Sequence, residues 1–387
     1  TSFGESYNDV WVPKAYSGSY GTNGFYLPMT NDTSVEAFNT VTWYGDGTAS
    51  KDINGVGFQP DLLWVKERSS TSTAQILDSI RGTGLRLQPS ETSAEASTSN
   101  ILLSFNSDGF TVGNSGAVNE DGQTYVAWCW KAGDSNVSNT DGSITTTVRA
   151  NQTYGFSVVS YTGTEVSGAT IGHGLGAAPD FVIVKRRNFS TGWRVYHSSV
   201  GNDRAFGLDT TSSANLANYW NNTDPTSSVI TLGNDNSVNG ANDPNIAYCW
   251  TEKTGYSKFG VWTGNGSTDG PTVTLGFKPA VLIVKPNFTK DWVIIDNTRS
   301  VNNPTSNELF PNTAAVEATD QRLNWLADGF KIISSGAQVN NNNSEYFYAA
   351  FADTRDFAFW RDESGNNNDW QPVNTGAYRV TTDTPTE

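Results

Sequence analysis

The sequence predicts an all-β protein: three tandem antiparallel β-sandwiches, preceded by an arm and followed by a tail. Three observations carry this. A proline-led apolar run ending in lysine occurs three times, as Pro60-Asp61-Leu62-Leu63-Trp64-Val65-Lys66, Pro179-Asp180-Phe181-Val182-Ile183-Val184-Lys185 and Pro279-Ala280-Val281-Leu282-Ile283-Val284-Lys285. The composition suits strands and tight turns: 13 Trp, 15 Tyr and 19 Phe supply apolar volume, 37 Gly mark turns, and only 16% of residues are charged. Each unit of roughly 100 residues divides into six or seven short strand patterns separated by turns, the pattern of a sandwich.

Residues 1–37 read as an arm, a glycine and aromatic mixture without a period. Repeat one spans 38–133. Its entry strand, Phe38 to Tyr44, leads into the turn Gly45-Asp46-Gly47. The proline-led run follows. Proline fixes φ and lacks a donor, so it suits the first residue of a strand. The apolar run after it reads as a strand buried on both faces, and the lysine as the point of return to water. A third strand, Gln75 to Arg81, is followed by a Ser/Thr/Ala-rich stretch read as loop with one helical turn. The turn Asp108-Gly109-Phe110, the pair Val118-Asn119 and the aromatic strand Tyr125 to Trp130 close the unit.

The same order recurs in repeat two (151–253) and repeat three (254–353). The prolines at 60, 179 and 279 stand 119 and 100 residues apart. Part of the excess lies in 134–150, a polar stretch read as a linker. A closed propeller is disfavoured with three units. Residues 354–387 form a tail that ends as a connection rather than a natural terminus. The chain lacks an initiator Met, which reads as processing or excision from a longer protein. Cys129 and Cys249 fall at matching points of two repeats, which argues for core positions rather than a disulfide.

With 39 acidic and 24 basic residues the net charge is −15, which disfavours nucleic acid and anionic lipid as partners. No apolar run approaches the roughly 20 residues of a membrane helix.

The repeated Gly-Phe-x-Pro-Asp before Trp64-Val65-Lys66, the Asp108-Gly109-Phe110 turn, Val118-Asn119, the strand from Tyr125 to Trp130 and the run Gly255 to Gly266 resemble repeat modules in virion structural proteins of marine tailed phages. Ser364-Gly365-Asn366 with Asp369-Trp370 is similar to a segment found beside such modules. The resemblance covers residues 38 to 370. It implies laminin-G or concanavalin-like (jelly-roll-like) sandwiches in an external fibre, spike or surface decoration of the virion. It also implies a homo-oligomer, by analogy with fibres a trimer, with other virion proteins and host surface glycans as partners.

Site chemistry is sparse. The two histidines, His173 and His197, read as structural; His197 takes the place held by Asp78 and Asp296 in the other repeats. Gly-x-Ser-x-Gly is absent. A glycosidase needs two carboxylates across a cleft, and spacing pairs none here. Asp362, Glu363, Asn366 and Asp369 (with Asn368 between) gather hard oxygen ligands suited to Ca2+, without EF-hand spacing. Trp220 with Asn221, set in a polar loop, is the candidate for stacking on a sugar. The expectation is a non-enzymatic virion protein that needs no cofactor. The alternatives are a secreted or cell-surface bacterial glycan-binding adhesin, extracellular in location, and behind it a polysaccharide-degrading enzyme.

Overall fold

The computed structural model describes residues 36–354 and two N-terminal strands, Gly4–Tyr7 and Val10–Pro13, which pair as an antiparallel hairpin. Residues 36–354 lie in one compact unit. The hairpin belongs to a second unit of residues 1–34 and 355–387.

The protein is all β. One four-strand arrangement recurs three times: entry strand, closing strand, proline-led strand, third strand, all antiparallel. In repeat one these are Phe38–Tyr44, Thr124–Trp130, Leu62–Glu67 and Gln75–Asp78. In repeat two they are Phe156–Thr162, Pro244–Trp250, Phe181–Arg186 and Arg194–His197. In repeat three they are Ser257–Thr263, Glu345–Ala352, Pro279–Pro286 and Val293–Asp296. A smaller sheet packs across each. In repeat one it is Lys51–Asn54, Gly109–Val112 and Leu102–Asn106. The glycine of the Asp-Gly-Phe turn is required by space: a Cβ on Gly109 would lie 2.0 Å from the Ile53 carbonyl oxygen, and one on Gly329 2.0 Å from that of Val273.

The Val-Asn pair is a clip. The Val118, Val238 and Val339 carbonyls accept hydrogen bonds from Trp43, Tyr161 and Trp262 of the entry strands, at 2.9, 2.6 and 3.0 Å. The amides of the buried Asn119, Asn239 and Asn340 then hold the turn that follows each entry strand.

The proline-led strands are buried on both faces, as the apolar runs predict. Alternate side chains serve two cores. Leu63 and Val65 face the sandwich of repeat one, and Val182 and Val184 that of repeat two. Leu62, Trp64, Phe181 and Ile183 face a core shared with repeat three. Side chains alternate across a strand, so a run without polar breaks needs apolar surroundings on both sides. The second apolar side is here the neighbouring repeats. The last aromatic residues of the three closing strands meet in a triangle: Trp130 to Trp250 at 5.8 Å, Trp130 to Phe351 at 5.6 Å and Trp250 to Phe351 at 6.4 Å between ring centroids. The three sandwiches therefore share one aromatic centre.

Three expectations are revised. The lysines closing the proline-led runs do not return to water; Lys66, Lys185 and Lys285 are 1%, 0% and 0% exposed. The sixth position falls on the shared-core side, where the loop of the adjoining repeat covers it. Residues 134–150 are not a free linker: Val137–Asn139 and Thr146–Asn151 form a hairpin that joins the repeat-two entry strand and widens that sheet to six strands. Hydrogen bonds from Ser143 and Thr146 to Thr170 and Gly172 close the side of that sandwich. The Ser/Thr-rich stretches contain short paired strands, such as Ala96–Ser97 with Leu85–Arg86, and no helix. The two cysteines are free and buried in different sandwich cores.

Candidate functional site: the joints between repeats

The buried polar chemistry gathers where one repeat meets the next. Each Ser/Thr-rich loop leaves its own repeat and lies on the following one, and the third lies on the first. In each case the buried lysine receives it. Lys185 Nζ donates to the Thr92 carbonyl at 2.8 Å, Lys285 Nζ to that of Thr211 at 2.9 Å and Lys66 Nζ to that of Ala314 at 3.2 Å. Each Nζ also donates to a carbonyl of its own repeat, at Thr191, Lys290 and Ser72. A backbone amide adds a second bond to each docked carbonyl: Thr191 to Thr92, Lys290 to Thr211, Ser72 to Ala314. Repeat one therefore docks on two, two on three and three on one, and the ring is closed. Burial pulls the pKa of all three lysines down to about 8.

Two joints are ionic. Where repeat one meets two, Glu95 pairs with Arg187 at 2.8 Å and Arg81 at 3.1 Å, and Arg81 also holds Asp78. The Tyr248 hydroxyl of repeat two donates to Asp78 at 2.7 Å. Where repeat three meets one, the pattern returns. Glu317 pairs with Arg68 at 2.7 Å and Arg299 at 2.9 Å, Arg299 holds Asp296 at 2.6 Å, and the Trp128 indole donates to Asp296 at 3.0 Å. Burial pushes the Glu317 carboxyl up, but the Arg68 and Arg299 hydrogen bonds and charges outweigh it and leave it below the usual range.

The joint of repeat two with three keeps its lysine but has apolar and amide residues where the other two have the ion pairs. Val200 stands at the place of Arg81 and Arg299, Ala214 at that of Glu95 and Glu317, and Asn287 at that of Arg68 and Arg187. His197 replaces the aspartate and Ala349 the aromatic donor. The contact survives because the imidazole reaches across itself: Nε2–H donates to the Tyr348 carbonyl at 3.0 Å, while Nδ1 accepts from the Ser199 amide at 3.1 Å. One nitrogen must carry a proton and the other must not, so the ring is neutral. Burial moves its pKa from 6.5 down to about 4. The rings of Phe181 and Phe347 flank it at 5.9 and 5.5 Å. Phe206 packs against Trp292 at 5.7 Å and Phe347 at 5.4 Å.

The candidates singled out from sequence fall apart from these joints. Trp220 is 1% exposed, stacks edge-on to Tyr196 and donates its indole N–H to the Arg204 carbonyl at 3.1 Å. It is a core residue and offers no face to a sugar. Asn221 adopts φ +52° and bonds Ser167 at 2.7 Å, which makes it a turn residue. Asp362, Glu363, Asn366 and Asp369 lie outside the described residues. Among the described residues, no three His, Cys, Asp or Glu side chains are placed to hold a metal. His173 is buried, with Nε2 on the Thr226 carbonyl at 3.1 Å and Nδ1 accepting from the Leu175 amide at 3.2 Å. Both histidines are structural, as their sequence setting predicts.

Sequence reasoning missed the lysines and the ionic set. A signal existed. Asp78 and Arg81 recur at the same spacing as Asp296 and Arg299, with Glu95 and Glu317 beyond, and all three positions change together in repeat two.

The family model described as "Domain of unknown function (DUF7483)" matches residues 33–355, the span of the closed ring. No curated protein matches the chain. A match over that share of the sequence places it: the chain belongs to the DUF7483 family, whose domain takes in all three repeats.

Proposed function

We propose that this chain is a non-enzymatic structural protein of a phage virion, a rigid module of an external fibre, spike or surface decoration. The observation that carries this reading is how the buried polar side chains are used. The lysines, arginines, carboxylates and His197 of the joints bond to the adjoining repeat or to one another. That is the chemistry of a fixed shape, and the resemblance to marine phage virion modules points the same way. Host-glycan adhesion is the companion reading. Its stacking rings would be Tyr44 and Phe189, 73% and 58% exposed, in place of Trp220.

The test is immunogold labelling of purified particles with antibody raised against this chain. Label on the particle exterior is the expected result. Recovery of the chain only on the surface of uninfected cells would overturn the reading in favour of the adhesin. A glycan array run on the same protein separates module from module-with-adhesion.

A further inference from the structure

We propose that the three-repeat ring is a side-mounted insertion: the polypeptide enters and leaves it at one point, so the ring projects from the assembly that holds the chain and is not a length of its shaft. This rests on the structural reading above and chooses within it, favouring a displayed decoration over an in-line fibre segment.

The geometry lies at the joint of repeat three with repeat one. The Glu36 amide donates to the Thr354 hydroxyl at 2.9 Å, and that hydroxyl faces the Glu36 carbonyl at 3.4 Å. These are the first and last residues described in the ring. Two residues inward from one and three from the other, Phe38 and Phe351 stack at 5.5 Å. Each end is fixed to the body. The Ala37 carbonyl accepts from the Lys131 amide at 2.9 Å, and the Asp353 amide donates to the Lys278 carbonyl at 2.8 Å.

Three sandwiches strung in line would separate the ends widely. A domain of about 100 residues has a radius of gyration near 13 Å, hence a diameter of about 34 Å, and three in a row span roughly 100 Å. Ring closure brings the two ends within hydrogen-bonding distance instead. Tension along the chain then crosses between Glu36 and Thr354 and bypasses the three sandwiches. An in-line shaft segment carries load through its length. A module with adjoining ends does not, and leaves the perimeter of the ring away from that point available for display.

Two experiments test this. In the first, purified full-length protein is stretched in an optical trap through handles at Glu36→Cys and Thr354→Cys. The folded ring is expected to add less than about 15 Å to the tether, then release about 1,100 Å at roughly 3.5 Å per residue. A folded contribution near 100 Å would overturn the proposal, whether or not the chain is a virion protein. In the second, residues 36–354 are replaced in the phage by a short Gly-Ser linker, and particles are imaged by cryo-electron microscopy. Lateral density should vanish while the length of the structure that bore it stays constant. Shortening by about 100 Å would contradict side mounting. Failure to find the chain in wild-type particles would count against the virion assignment alone, since the trap measurement stands apart from it.

Discussion

Acidification should weaken the joint of repeats two and three through His197. The buried imidazole refuses a proton that the unfolded chain accepts. Its pKa falls from 6.5 to about 4 because burial disfavours the charged form. Below pH 6.5 the unfolded state binds the extra proton, so stability falls as pH drops from about 6.5 to about 4 and levels off beneath. A tenfold change in proton affinity is worth about 1.4 kcal/mol, so the full loss is roughly 3 kcal/mol. That is a large part of the roughly 5–15 kcal/mol typical of folded domains. His173, also lowered by burial, contributes with the same sign, so the comparison must isolate His197. His197→Gln does so: an amide can still donate to the Tyr348 carbonyl but does not titrate. Urea unfolding at pH 7 and pH 4 should show wild type losing about 3 kcal/mol more than the variant. Because the chain holds only 2 histidines, an imidazole NMR titration reads the same pKa directly. Superimposable stability profiles for wild type and His197→Gln would refute the reasoning.

Other perturbations separate this account from independent sandwiches. Trp250→Ala opens the central triangle and should cost about 3–5 kcal/mol, lowering the single unfolding midpoint of the whole ring in guanidinium, and not that of repeat two alone. Lys185→Met strips the donor from the Thr191 carbonyl, while the Thr92 carbonyl keeps the Thr191 amide, and should cost about 1–3 kcal/mol in the same assay, whereas a lysine at a solvent-facing strand end would cost about 0.5 kcal/mol or less. Glu95→Gln leaves Arg81 and Arg187 without that carboxylate's charge. Arg81 keeps Asp78, and the Glu95 and Arg187 side chains are 12% and 19% exposed, so the loss should be about 1.5–3 kcal/mol, measured by denaturation at neutral pH. Trp220→Ala should destabilise the fold by a similar amount to Trp250→Ala, and leave any glycan binding per folded molecule unchanged on an array.

The strands were legible in the sequence because their signals are local. A proline followed by a β-branched and aromatic run, or an Asp-Gly-Phe turn, carries its own backbone preference. The ring was not, because it depends on which surface covers each face. Lys66, Lys185 and Lys285 illustrate the difference. A lysine after an apolar run reads as a strand end, and only the docked loop of the neighbouring repeat buries it. Trp220 misled for the opposite reason. Its flanks Asn218, Asn221 and Asn222 are polar, yet the ring itself turns inward onto Tyr196. The 134–150 stretch is polar because its hairpin lies at the sheet edge, where one side faces water. The correlated change of Asp, Arg and Glu to His197, Val200 and Ala214 did announce an interaction, although not that its partner lay in the next repeat.

Scanning calorimetry of the intact protein tests the closed ring most directly. Residues 36–354 should absorb roughly 220 kcal/mol on unfolding, at about 0.7 kcal/mol per residue. If the three repeats share one core, their transition is a single one, and its van't Hoff enthalpy matches that calorimetric value. Three independent sandwiches would give a van't Hoff enthalpy near one third of it, about 75 kcal/mol, or three resolved peaks. That result would contradict the shared core and the joints built around it.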